Sequence, residues 1–179
     1  MALILLRHAR PDAAEGRCYG RIDLDPGAGV AAAAAEIAAR VRPIDRIVTS
    51  PLRRCRRLAA ALGARLGAPV RLDPVWREID FGRWEGLAWE TVSRAELDAW
   101  AADLLHARPH GGESVAMLLV RARRAVRRFG GTGGRTLVVT HAGMIRAALV
   151  ATGAGADAWR QPIAFGELVA LDSPRRRIR

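Results

Sequence analysis

At 179 residues, 50% of them hydrophobic and 26% charged, the chain has the size and balance of one folded domain, which excludes disordered and fibrous classes. The net charge of +11 comes from arginine alone, since the chain contains no lysine. Its longest strongly apolar runs, such as Val30 to Ala35, are alanine-rich and far short of the ~20 residues that span a bilayer.

The first predicted element is the apolar run Leu3 to Leu6, a buried strand that delivers Arg7 and His8 to the carboxyl edge of a sheet, where open α/β folds place ligands. These two residues interrupt the apolar run too early for a secretory leader, so a cytoplasmic location is expected. A loop from Pro11 to Ala28 is too long for a simple connection and is a candidate substrate loop, with Cys18, Tyr19, Gly20 and Arg21 its candidate contacts. An alanine-rich helix from about Gly29 to Val41 precedes a strand at Arg46 to Thr49. Ser50-Pro51 then reads as an N-cap followed by proline at the first helical position, opening a helix that stops at Gly67. After a short strand at Val70 to Leu72, the Trp-, Glu- and Gly-rich segment from Trp76 to Trp89 reads as an irregular functional loop. Helical spacing returns around Val92 to Leu105 and again after Glu113-Ser114. The run Thr136 to Thr140 is the most strand-like in the chain and ends in His141. A helix from Gly143 to about Thr152 and a strand within Phe165 to Leu171 complete the pattern.

Strands alternating with helices predict a three-layer α/β/α sandwich with a mostly parallel central sheet. One domain covering 1–179 is expected, with 76–110 as a lid or insert over the pocket. Two of its strands run into histidines, and Ser50-Pro51-Leu52-Arg53-Arg54 opens a helix behind a third. Cationic groups from separate segments therefore meet at one sheet edge, an arrangement suited to a phosphate. Neutral His8 can attack phosphorus and carry the phosphoryl group, while Arg7, Arg54 and His141 hold its oxygens. Because His141 binds phosphate better as a cation, the two histidines are expected to titrate differently. These donors remove the need for a metal, and no cofactor is expected. His106 and His110 share helical spacing, but Arg108-Pro109 breaks the helix between them. Cys18 and Cys55 lack metal or redox spacing and read as free thiols. The arginines at 121, 123, 124, 127 and 128 lie on a helix and form mostly its wet face, without the interleaved aromatics of a nucleic-acid groove.

Leu6-Arg7-His8, Ser50 to Arg54, Glu78-Ile79-Asp80-Phe81-Gly82, Gly112-Glu113-Ser114 and Thr140-His141-Ala142-Gly143, in this order, resemble the histidine phosphatase superfamily, the phosphoglycerate-mutase-like fold. The length and the Gly20 to Leu24 loop are most similar to its α-ribazole-phosphate phosphatases, enzymes of cobalamin synthesis. The resemblance implies a metal-independent phosphatase that acts on a small phosphate monoester, α-ribazole 5′-phosphate among them, through a phosphohistidine at His8, with Glu78 as general acid and Asp80 its local competitor. Burial of Glu78 beside the phosphate would favour its protonated form. Three departures stand out: Ala9 replaces the glycine usual after the first histidine, Arg56-Arg57 replaces a Gln-Thr pair, and Ala14 stands where mutases carry asparagine. The alternatives are a phosphohistidine-protein phosphatase, mutase-type phosphoryl transfer and, in another class, a non-catalytic polyanion-binding protein. The expected partner is a small phosphorylated metabolite rather than a membrane or nucleic acid, and a homodimer remains open.

Overall fold

The computed structural model describes residues 2–12, 15–41, 43–131 and 133–171; Ala14, and with it the asparagine position of mutases, lies outside them. In chain order the elements are β1 (Ala2–Arg7), α1 (Val30–Arg40), β2 (Arg46–Thr49), α2 (Arg53–Leu66), β3 (Val70–Leu72), α3 (Arg94–Ala102), α4 (Val115–Gly130), β4 (Arg135–Thr140), α5 (Ala142–Ala151) and β5 (Leu168–Leu171). Among the described residues no helix is long and apolar enough to cross a membrane.

The strands form one five-stranded sheet in the order β3-β2-β4-β1-β5. The first four are parallel, and β5 pairs antiparallel with β1, as the Leu3↔Leu171 to Leu6↔Leu168 register records. Strand alternation divides the side chains between two cores. Leu5, Val48 and Val138 face a core completed by Leu118, Ala122 and Met144 of α4 and α5. Leu6, Ile47, Leu137 and Val139 face a second, completed by Ile37, Leu58 and Leu62 of α1 and α2. The sheet is thus covered on both faces, as its near-continuous apolar strands require.

The helices end and begin where local chemistry dictates. Gly67, left-handed at φ 64°, returns its N–H to the Gly63 carbonyl and closes α2. Ser114 accepts from the Met117 N–H at 3.2 Å and opens α4. One boundary departs from the sequence reading. Ser50 does not cap α2, because its backbone still continues the sheet by donating to the Val139 carbonyl at 3.0 Å. Pro51 and Leu52 therefore stay outside the helix, and extended Leu52 takes the cap position. The helix expected from Val92 to Leu105 contracts to α3 between Ser93 and Asp103.

A third, smaller core joins Cys18, Trp84 and Val92, with Phe81, Leu97 and Trp100 packed against it. It fastens the loop after β1 to the segment after β3. Backbone bonds from the Cys18 N–H to the Leu87 carbonyl and from the Gly86 N–H to the Cys18 carbonyl add to that joint.

Candidate active site

Parallel register brings the chemistry together. Arg7 pairs with Thr140 and Thr49 with Val139, so the chain leaves β1, β4 and β2 side by side, at His8, His141 and Ser50. The His8 N–H donates to the Thr140 carbonyl at 3.0 Å, which fixes the two histidines in adjacent rows. Their rings stand edge to face with centroids 5.2 Å apart.

His8 Nδ1 lies 2.7 Å from the carbonyl of Ala9, which can only accept, so Nδ1 carries the proton and Nε2 the lone pair. Ala9 therefore serves this contact without a glycine. Arg54 Nε donates to that lone pair at 3.2 Å. Burial, followed by the nearby guanidinium of Arg54, pushes the His8 pKa down from 6.5 to about 3, and the ring is neutral at physiological pH. His141, fully buried, is pushed well below its ordinary value by the same two causes. Both histidines are thus pushed down, because both share the buried site with Arg54. His141 Nε2 lies 2.8 Å from Ser50 Oγ and 3.5 Å from the thiol of Cys55.

A cavity of about 330 Å³ opens in front of His8. Arg7, Tyr19, Gly20 and Glu78 line it, as do Phe81 and Trp89, with Arg17 and Arg146 as further cations. Arg7 stacks its guanidinium 3.7 Å from the centre of the Phe165 ring and donates to the Ile163 carbonyl. Glu78 accepts from the Ile79 N–H at 2.9 Å and, through Oε2, from the Gly143 N–H at the start of α5 at 3.0 Å. That contact requires glycine, since a Cβ on Gly143 would lie 2.4 Å from Glu78 Oε1. Gly20 is a second close approach, where a Cβ would lie 2.2 Å from the Ile79 carbonyl oxygen.

Not every residue expected at the site lines the cavity. Arg54 is fully buried behind His8, and two of its guanidinium nitrogens donate at 2.7 Å to the carbonyls of Gly20 and Ile22, holding the loop in place. Arg21 is not a cavity residue; it pairs with Asp80 at 3.0 Å and Glu113 at 3.5 Å. That pairing also occupies Asp80, whose other oxygen caps the Gly82 N–H, so of the two candidate acids only Glu78 lines the cavity. Trp84 is a core residue and donates to Glu96, while Trp89 belongs to the cavity wall. His110 is buried against Trp84 with ring centroids 4.9 Å apart, and no group of three metal-ligating side chains occurs among the described residues.

Sequence reasoning missed the cavity residues Arg17 and Arg146, the platform Phe165 and the partners of Glu113. For Arg146 a signal existed: it follows Ala142 by four residues on one helix, and so shares its face. Phe165 carried none.

The model of the histidine phosphatase superfamily, branch 1, matches residues 3–177. A glucosyl-3-phosphoglycerate phosphatase of Mycolicibacterium vanbaalenii is 35% identical over 88% of this chain and 76% of its own length; the chain spans 58% of the Mycobacterium tuberculosis counterpart. A mycobacterial glucosyl-3-phosphoglycerate phosphatase solved with VO3 superposes with a TM-score of 0.83 at 30% identity, covering 96% of this chain and 92% of that one. The α-ribazole phosphatase of Shigella flexneri shares the fold at a TM-score of 0.84 and 24% identity, over 98% and 92% of the two chains. With a family match over nearly its whole length and named phosphatases among its relatives, the chain belongs to the histidine phosphatase superfamily and is a phosphatase.

Proposed function

We propose that the protein hydrolyses a small phosphate monoester in two displacements through a phosphohistidine at His8. The observation that carries this reading is the tautomer of His8: the Ala9 carbonyl holds the proton on Nδ1 and leaves the lone pair on Nε2, and His8 lines a cavity that also carries Arg7, Arg17 and Arg146. In the first step Nε2 attacks phosphorus as the ester P–O bond breaks in line, and Glu78 gives its proton to the departing alkoxide. In the second, the Glu78 carboxylate takes a proton from water, the oxygen attacks phosphorus, and orthophosphate leaves a neutral His8. Arg54, fixed behind His8 by the Gly20 and Ile22 carbonyls, holds Nε as the one guanidinium nitrogen that can pass from His8 to a phosphoryl oxygen when substrate enters. Arg7, held on Phe165, supplies a further planar donor set, and His141, fully buried beside His8 and outside the cavity lining, becomes a third donor only by giving up its contact with Ser50.

The alcohol is read from the outer cavity. Tyr19, Phe81 and Trp89 offer flat apolar faces to a ring, and Arg17 and Arg146 offer guanidinium groups to a second acid on the substrate. A glycosylated phosphoglycerate has both features, and relatives that match most of this chain carry that activity in their names. This favours glucosyl-3-phosphoglycerate over α-ribazole 5′-phosphate, whose alcohol has a ring but no acid. The ratio of kcat/KM for these two compounds decides between them.

His8→Ala is expected to abolish turnover of p-nitrophenyl phosphate while the melting temperature holds, and chelator is expected to leave the wild-type rate intact. A phosphate stable to base and labile to acid, trapped on His8 by rapid quench, is the direct test. A His8→Ala protein that still turns over the ester would refute the mechanism.

A further inference from the structure

The residues that aim Glu78 are not in the cavity. From Val75 to Glu78 itself, four successive carbonyls are each held by a buried or half-buried side chain. Arg121 of α4 donates through Nη1 to the carbonyls of Val75, at 2.9 Å, and Arg77, at 2.6 Å, and through Nη2 to that of Glu78 itself, at 3.2 Å. Thr140, the last residue of β4, donates to the intervening Trp76 carbonyl at 2.7 Å. Arg121 is in turn gripped by both oxygens of Glu113, with Nε to Oε1 at 3.0 Å and Nη2 to Oε2 at 2.7 Å, a planar fork on a planar carboxylate. The backbone of Glu113 closes the ring by donating to the Asp80 carbonyl at 2.8 Å. Both side chains are shielded, at 17% exposure for Arg121 and 8% for Glu113.

The single 3-10 turn at Pro74–Trp76 uses only the carbonyls of Asp73 and Pro74, so those from Val75 onward must find donors elsewhere. The strip from Val75 to Glu78 finds them on two elements of the rigid core. We infer that the Glu113–Arg121 pair is a positioning device for proton donation by Glu78: Arg121 pegs the backbone that carries the carboxyl, and Glu113 fixes the peg. The inference rests on the reading of Glu78 as the proton donor. It also gives the Gly112-Glu113-Ser114 motif a task beyond starting α4, and through Glu113 it links the donor to Arg21 of the substrate loop.

The test separates this role from simple loss of folded protein. kcat/KM reports only the steps up to departure of the alcohol, so the later hydrolysis of phosphohistidine does not enter it. A p-nitrophenolate leaves with little help, whereas an alkyl alkoxide needs its proton, and general acid catalysis contributes roughly 10²- to 10⁴-fold. For Arg121→Gln and Glu113→Gln, kcat/KM for an alkyl phosphate is expected to fall about 10- to 100-fold, against about threefold or less for p-nitrophenyl phosphate, a partial loss of that contribution. Arg121→Lys, which retains a donor and the charge, is expected to recover part of the difference. The double variant Arg121→Met with Glu113→Gln removes both charges together and serves where a single change leaves an unpaired buried ion and too little folded protein. An equal fall for both substrates in the folded variants overturns the inference, since a merely structural role lowers all substrates alike. Glu78→Gln is the reference: if it too shows no dependence on the leaving group, the reading of Glu78 itself fails; if it shows one and the Arg121 and Glu113 variants do not, only the positioning role fails.

Discussion

Gly143→Ala should uncouple catalysis from stability. Gly143 lies in the first turn of α5 with an ordinary helical backbone, so alanine is conformationally welcome there. Its new Cβ, however, would lie 2.4 Å from Glu78 Oε1 and 3.1 Å from Cδ. To restore ordinary contact the carboxyl group must retreat by about 1 Å, and it loses the Gly143 N–H as partner. The lost hydrogen bond costs about 1 kcal/mol, and the exchange of glycine for alanine in a helix returns up to about 1 kcal/mol. The two nearly cancel, so the melting temperature should stay within about 4 °C of wild type for a chain of this size. Catalysis has no such compensation: a misplacement of about 1 Å in a reacting group costs on the order of 10²-fold. Thermal melts, paired with kcat/KM for an alkyl phosphate and for p-nitrophenyl phosphate, measure both halves. Full activity toward the alkyl ester would refute the reasoning. So would an equal loss on both esters with an unchanged melt, because the damage would then lie in the phosphate cradle beside His141 and not in the proton donor.

Two further expectations concern titration and reactivity. His8 falls from 6.5 to about 3 on folding, so as the pH drops below 6.5 the unfolded chain binds the proton first and stability is lost, by up to about 1.4 kcal/mol per pH unit until the folded value is reached. His141 acts in the same direction. Denaturant midpoints measured from pH 7 to pH 4 should therefore fall less steeply for His8→Asn than for wild type, and parallel slopes would count against a neutral, buried His8. The thiols should be inert at neutral pH, since burial pushes Cys18 up to about 12 and Cys55 higher still. Alkylation by iodoacetamide should wait for denaturant, and rapid labelling of the native protein would contradict their burial.

What the sequence revealed of this molecule follows the range of the interactions concerned. Thr136 to Thr140 announced a strand because five consecutive residues suit one, and β4 extends it by Arg135 alone. His8 and His141 were legible because each directly follows such a run, and parallel pairing of the two strands does the rest. Arg21 pairs outside the cavity with carboxylates that stand 59 and 92 residues away, where no local pattern marks them. Ser50 looked like an N-cap by composition, but a ladder bond to Val139 and a contact with His141 outweigh that local preference. The arginines at 121, 123, 124, 127 and 128 read mostly as one wet face, yet Arg121 turns inward to three carbonyls and a carboxylate. Periodicity could not separate it from its neighbours, for its partners lie in a segment that has no period.

The small core of Cys18, Trp84 and Val92 has a bearing on how such an enzyme changes over evolutionary time. His8 and His141 sit on strand ends locked between the two large cores. Tyr19, Phe81 and Trp89, which line the cavity, are carried instead by loops gathered around a separate packing centre. Mutations can accumulate there without moving a strand. A lineage can exchange one alcohol for another by remodelling this annex while the machinery for breaking the ester bond is inherited intact.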